Sequence, residues 1–174
     1  MIKKLFRVPI NMLRSRINSV GYAKKFGVRM NGKVYIYGSS YEMFSTEPWL
    51  ITLGDNVHIT NNVRFITHDG GTLVLRHRNP SLEVTKPITV GDNVYIGVNS
   101  IIMPGVNIGN NCIIGAGSVV TKDIPEKSVY AGVPARYIKS IEEYYEKIQK
   151  ESLNLGHLTS IEKEKALKKH FNVK

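Results

Sequence analysis

The chain carries five histidines (His58, His68, His77, His157 and His170) and one cysteine, Cys112. Imidazole is the side chain whose pKa lies nearest neutral pH, so a general base is sought first among these histidines. His68 and His77 stand nearest each other in a region of broken periodicity, His77 between Arg76 and Arg78, where it could meet phosphates or a substrate. His58 takes a position that should point outward as a bystander, and His157 and His170 lie in the tail without an assigned role. No His-x4-His pair and no zinc-finger spacing occurs, so no metal is expected. The side chains nearest His68 in sequence that could act beside it are Glu47, Trp49, Asp69 and Glu83.

A chain of 174 residues must position these groups with one domain, two at most. With 42% apolar and 22% charged residues it is globular, and no run approaches the ~18 apolar residues of a membrane span. The start, MIKKLFRVPINML, lacks the cleavage site of a secretory signal, and a single cysteine suits a reducing setting; a cytoplasmic location is expected. The net charge of +10 favours an anionic partner. It is unevenly spread: residues 1–33 hold nine Lys and Arg and no acid, whereas residues 88–121 hold Asp92 alone. No nucleic-acid-binding motif accompanies the charge, and no nucleic-acid partner is expected.

The middle of the chain repeats. From Val90 it divides into sixes, VGDNVY, IGVNSI, IMPGVN, IGNNCI, IGAGSV and VTKDIP, each opened by Val or Ile and carrying Val, Ser, Cys or Ile fifth. A helix turning about 100° per residue would scatter the openers over different faces. A strand keeps them on one face, because six is even. Short strands with equal bends, eased by Gly or Asn, close a triangular coil of eighteen residues, about 4.8 Å from the next. The frame continues upstream in LGDNVH and ITNNVR, and more loosely around Met30–Gly38, so four to five coils are expected between residues 28 and 125. Cys112 occupies a fifth position and reads as a core side chain, not a nucleophile.

Two interruptions break the period, Ser39–Pro48 and Thr67–Lys86, and loops extruded from a closed coil are where function tends to sit. Residues 1–27 form a basic helical arm, kinked at Pro9; residues 28–139 form the coil, with loop 67–86 extruded; residues 140–174 form a helical tail, with helices over Ser140–Ser152 and Ser160–Phe171 capped by serine. The arm is expected to cap an open coil end, with membrane contact as the alternative.

The stretch KPITVGDNVYIGVNSIIMPGVNIGNNCIIGAGSVVTKDIPEKSVYAGVPARYIK resembles the left-handed β-helix acyltransferases, above all the sugar and capsular polysaccharide O-acetyltransferases; EPWLITLGDNVHITNNVRFITHDGG resembles the polysaccharide-modifying branch. The resemblance implies an all-β fold, a left-handed parallel β-helix with short flanking helices. It further implies acetyl-CoA as co-substrate, a homotrimer with coenzyme between neighbouring prisms, and direct O-acetylation of a saccharide. His68 matches the catalytic histidine, and an oxyanion-binding backbone N–H falls near Gly97 and Val98. Tyr95, Gly97, Val98, Ala116, Thr121, Lys122, Arg136 and Lys139 match coenzyme contacts, the three cations facing phosphates. Either Asp69 or Glu47 would orient the imidazole, and Glu83 sits where some relatives have a substrate-contacting acid.

Tyr95 stands where sugar-specific members commonly have Trp, and the arm does not resemble their longer helical domain, so the acceptor pocket does not carry over. N-acetylation of an amino sugar nucleotide or of an antibiotic is the nearest alternative. A γ-carbonic-anhydrase hydratase would need three converging histidines, and a non-catalytic scaffold would not need His68.

Overall fold

The computed structural model describes residues 7–173, in two compact units, one ending at Ile141 and the other beginning at Glu142.

In the first unit, strands are visited in strict rotation by three sheets. The first sheet holds β1 (Arg29–Met30), β3 (Ile51–Leu53), β6 (Ile88–Val90) and β9 (Asn107–Ile108). The second holds β2 (Val34–Ile36), β4 (Val57–Ile59), β7 (Val94–Ile96), β10 (Cys112–Ile114) and β12 (Ser128–Ala131). The third holds β5 (Arg64–Phe65), β8 (Ile101–Ile102) and β11 (Val119–Val120), extended by a bridge from Phe44 to Phe65. All these pairings are parallel, so four turns of a three-sided coil are complete, and a fifth opens with the Ile108–Ile124 bridge.

The periodic residues fill the interior. All six openers from Val90 to Val120, and the fifth residues Val94, Ser100, Val106, Cys112, Ser118 and Ile124, are at most 4% exposed. Register stacks like on like: Leu53, Val90 and Ile108 form one file, and Phe65, Ile102 and Val120 another. Cys112 is a wholly buried member of the file Val57, Val94, Cys112.

The bends divide their work between two residue types. Asn56, Asn93 and Asn111 adopt φ near +52°, +54° and +56°, and their side-chain amides stack along one corner. The preceding glycine answers a different need. A Cβ on Gly91 would meet the Asn110 Oδ1 at 2.4 Å, the oxygen that accepts the Asp92 N–H. Asparagine thus supplies the left-handed backbone, and Gly91 the close approach of the next coil.

Helices α1 (Arg7–Ile17) and α2 (Ser19–Lys25) lie against the first coil, where Ala23 and Val28 join its core. The described part of the arm is divided at Asn18, a break not expected from the sequence, while the expected kink at Pro9 falls in the first turn of α1, next to residues outside the described ones. Helix α1 runs through Pro9, while Asn18 leaves helical φ,ψ and accepts the Gly21 N–H as the cap of α2. The first residues of the expected arm helix lie outside the described residues. At the other end β13 (Arg136–Ser140) turns back antiparallel on β12, a strand absent from the sequence expectation.

With α3 (Thr72–Leu75) in the first unit, the second unit holds most of α4 (Ile141–Glu151) and α5 (Ser160–Phe171). The cap of α5 is Thr159 rather than Ser160: its hydroxyl accepts the Glu162 N–H while the Glu162 carboxylate accepts from Thr159.

Candidate active site

Both interruptions deliver side chains to one corner, where the third sheet gives way to the first. The long loop leaves after β5 and returns to β6, containing the short helix α3 (Thr72–Leu75). Its neck is pinned: Lys86 N–H donates to Thr67 O at 2.8 Å, Asp69 N–H to Val84 O at 2.9 Å, and His68 bridges Thr85. His68 therefore stands on backbone anchored to the coil, not on the loop tip.

The earlier interruption, one turn lower at the same corner, supplies Glu47. Its Oε2 lies 2.8 Å from His68 Nδ1 and accepts the Thr67 hydroxyl at 2.6 Å, with Thr67 wholly buried. Thr46 donates to Oε1 at 2.5 Å and lies 3.3 Å from His68 Nδ1. Burial pushes the Glu47 carboxyl up, but hydrogen bonds from Thr46, Thr67 and His68, joined by the imidazole's attraction, outweigh it and hold the carboxyl at about 2. Of the two carboxylates expected to orient the ring, Glu47 is the one at it. Asp69 accepts the Gly71 N–H at 2.8 Å, and Glu83 pairs with Arg76 at 2.6 Å while accepting from Thr85. The His77 ring is turned to Val74 O at 2.8 Å. Among the described residues no three His, Cys, Asp or Glu side chains are grouped to hold a metal ion.

The sequence reading missed Thr46 and Thr67, although each directly precedes a residue it singled out. It also missed a cavity of about 690 Å³ at this corner, bordered by Tyr22 of α2, by Phe26 just after that helix, and by Tyr41, Thr46 and Trp49. Tyr22 and Phe26, one helical turn apart, have ring centroids 4.6 Å apart, and Trp49 is more than half exposed. Two aromatics four apart in a cationic arm were the available signal.

Four of the residues matched to coenzyme contacts, Tyr95, Gly97, Val98 and Ala116, occupy a different corner, between the second and third sheets. Tyr95 is exposed on the outer face of β7, followed by Gly97 and Val98. Ala116 lies directly above: a Cβ on Gly97 would come within 2.5 Å of Ala116 N, and Gly117 N–H donates to Val98 O at 2.8 Å. Gly97 N–H is already given to Ile114 O at 2.8 Å, which leaves Val98 of the two amides considered for an oxyanion. Thr121 and Lys122 instead follow β11, where the third sheet gives way to the first as it does after β5, and Arg136 and Lys139 lie on β13. Within one chain, His68 and this small-residue file belong to separate corners of the coil. His58, expected to be a bystander, stacks on Tyr35 at 4.5 Å and meets Tyr37 Oη at 2.8 Å on the outer face of the second sheet.

The chain is similar to several known proteins. The family model for the hexapeptide repeat of succinyl-transferase matches residues 87–122. Protein CapG of Staphylococcus aureus is 42% identical over 147 residues, covering 84% of this chain and 83% of its own. The galactoside O-acetyltransferase of Escherichia coli K12 is 43% identical over 103 residues, 59% of this chain and 50% of that protein. Among solved structures, soybean serine acetyltransferase complexed with serine superposes with a TM-score of 0.50 at 25% identity, over 64% of this chain and 40% of that one. With a relative matched over most of both lengths and the repeat filling the interior turn by turn, the chain belongs to the hexapeptide-repeat acyltransferases, close to the sugar O-acetyltransferases, and is an enzyme of that type.

Proposed function

We propose that the protein transfers an acetyl group directly from acetyl-CoA to a saccharide hydroxyl, in a cell-surface or capsular polysaccharide or its precursor, with His68 as general base. The observation that carries this is the Glu47–His68 pair. An ionised carboxylate only accepts hydrogen bonds, so the hydrogen between the two belongs to Nδ1, and in the neutral ring Nε2 keeps its lone pair. Nε2 takes the proton of the acceptor hydroxyl as the hydroxyl oxygen attacks the thioester carbonyl. The Val98 N–H receives the oxyanion. When the tetrahedral intermediate collapses, the C–S bond breaks and the imidazolium returns its proton to the departing thiolate. No acyl-enzyme intervenes, in keeping with the burial of Cys112.

The small-residue file suits a thin pantetheine chain, and Tyr95 would wall its thioester end. Thr121, Lys122, Arg136 and Lys139 would hold the anionic nucleotide end. The aromatic cavity beside Thr46 suits an acceptor, since the C–H face of a sugar ring stacks on aromatic side chains while its hydroxyls seek polar partners, and the named galactoside relative points to the same substrate class. Because His68 and the file lie at separate corners, a complete site needs one corner from each of two copies. We therefore read the coil as left-handed and the assembly as a homotrimer, acting in the cytoplasm, where acetyl-CoA is made.

His68→Ala should lower kcat by ~10²-fold or more while leaving coenzyme affinity nearly unchanged; full activity in that variant would end the proposal. A fully active monomer in sedimentation would end the shared site.

A further inference from the structure

We infer that helix α1 docks the protein on an anionic membrane surface. The helix is turned the wrong way round for a soluble cap. Its inward side is polar: Ser15 is wholly buried, its hydroxyl 2.6 Å from Ser39 Oγ, and its carbonyl accepts from Ser40 N–H and from the Ser19 hydroxyl. The opposite side is apolar. Ile10, Leu13 and Ile17, at the three- and four-residue spacing of one helix face, are 48, 60 and 76% exposed. Seating α1 on the coil has thus used its hydrophilic stripe and left the hydrophobic one facing away, which burial within this unit would have reversed.

Charge identifies the occupant. Arg14 and Arg16 flank the stripe on α1, Lys24, Lys25 and Arg29 are exposed just beyond it, and no acid occurs before Glu42. Apposing two such faces would set like charges together, which disfavours a second copy. A bilayer surface with anionic headgroups accepts both features at once: the apolar stripe enters the headgroup–acyl boundary, and each cation near the surface adds attraction. Among the described residues no helix is long and apolar enough to cross a membrane, so the contact is peripheral. None of these residues belongs to the proposed catalytic corner, so this inference and the catalytic reading fail separately.

The test is co-sedimentation of the full chain with vesicles of phosphatidylcholine containing phosphatidylglycerol, against phosphatidylcholine alone, with sedimentation velocity run in parallel. The wild type should bind the anionic vesicles, and raised salt should weaken it. The double variant Leu13→Ser, Ile17→Ser should lose at least about tenfold in affinity, and Arg14→Gln with Arg16→Gln should lose less while abolishing much of the salt dependence. All three proteins should keep the same thermal unfolding. No binding to anionic vesicles, or unchanged binding by the serine variant, overturns the inference. So does a serine variant that dissociates an oligomer present in the wild type, which would assign the stripe to a second copy.

Discussion

The stretch from Val90 to Pro125 and the two interruptions at Ser39–Pro48 and Thr67–Lys86 belong to the same coil, yet they do opposite things. In the first, opener and fifth positions are buried in every block, and the only charged residues are Asp92, Lys122 and Asp123. Its regularity gives stiffness and a flat outer track. In the second, the period fails twice at one corner, and each failure brings one member of the Glu47–His68 pair. The proposed chemistry thus sits where repetition stops, beside a loop neck whose two strands are tied to each other where they leave the coil. Regular turns contribute position, and irregular ones contribute reactivity.

Substitutions in the two regions should therefore separate stability from turnover. The largest effect is expected inside the coil. Phe65 is wholly buried and stacked on Phe44 at 5.2 Å, so Phe65→Ala should cost about 3–5 kcal/mol in urea unfolding. If the variant keeps its unfolding midpoint, the files of side chains are not the source of stability. Next comes Glu47→Gln, at the carboxylate that meets the His68 ring. It should lower kcat by roughly 10–10²-fold, part of the ~10²–10⁴ that a base contributes, with KM for acetyl-CoA unchanged; a rise in KM alone would make Glu47 a binding residue instead.

A smaller effect is expected at the cations matched to the coenzyme. Lys122→Ala with Arg136→Ala should weaken CoA about tenfold, exposure limiting each charge-assisted bond, and should weaken 3′-dephospho-CoA less. Equal loss for both ligands would remove the 3′-phosphate from these cations. The smallest effect is on acid stability. The folded Glu47 carboxyl is held at about 2, below its ordinary 4.5, so its contribution is present above about 4.5 and is lost as pH falls toward 2. Between those values the wild type should lose thermal stability faster than Glu47→Gln, and parallel curves would contradict the three-donor environment described for Glu47.

The coil was legible before any coordinates because its period is even and its openers are apolar: burial follows from alternation alone, and Cys112 was placed in the core on that ground. His68 was singled out through its resemblance to an acyltransferase motif, and the fold sets it against Glu47. The choice between Asp69 and Glu47 was not legible, since Asp69 is adjacent in sequence and Glu47 is twenty-one residues away. Nor was the arm's break at Asn18, where the local cap of α2 interrupts the helix.

By itself, then, the order of residues determined which side chains face inward, because an alternating strand leaves no other arrangement that buries them. Only the folded coil decided which segments share a corner. Stacking brings residues one turn apart into contact whatever lengths of loop separate them, and no spacing rule along the chain records where a loop's two ends are tied. That is how Glu47 comes to hold His68, and how α1 comes to turn its apolar side outward.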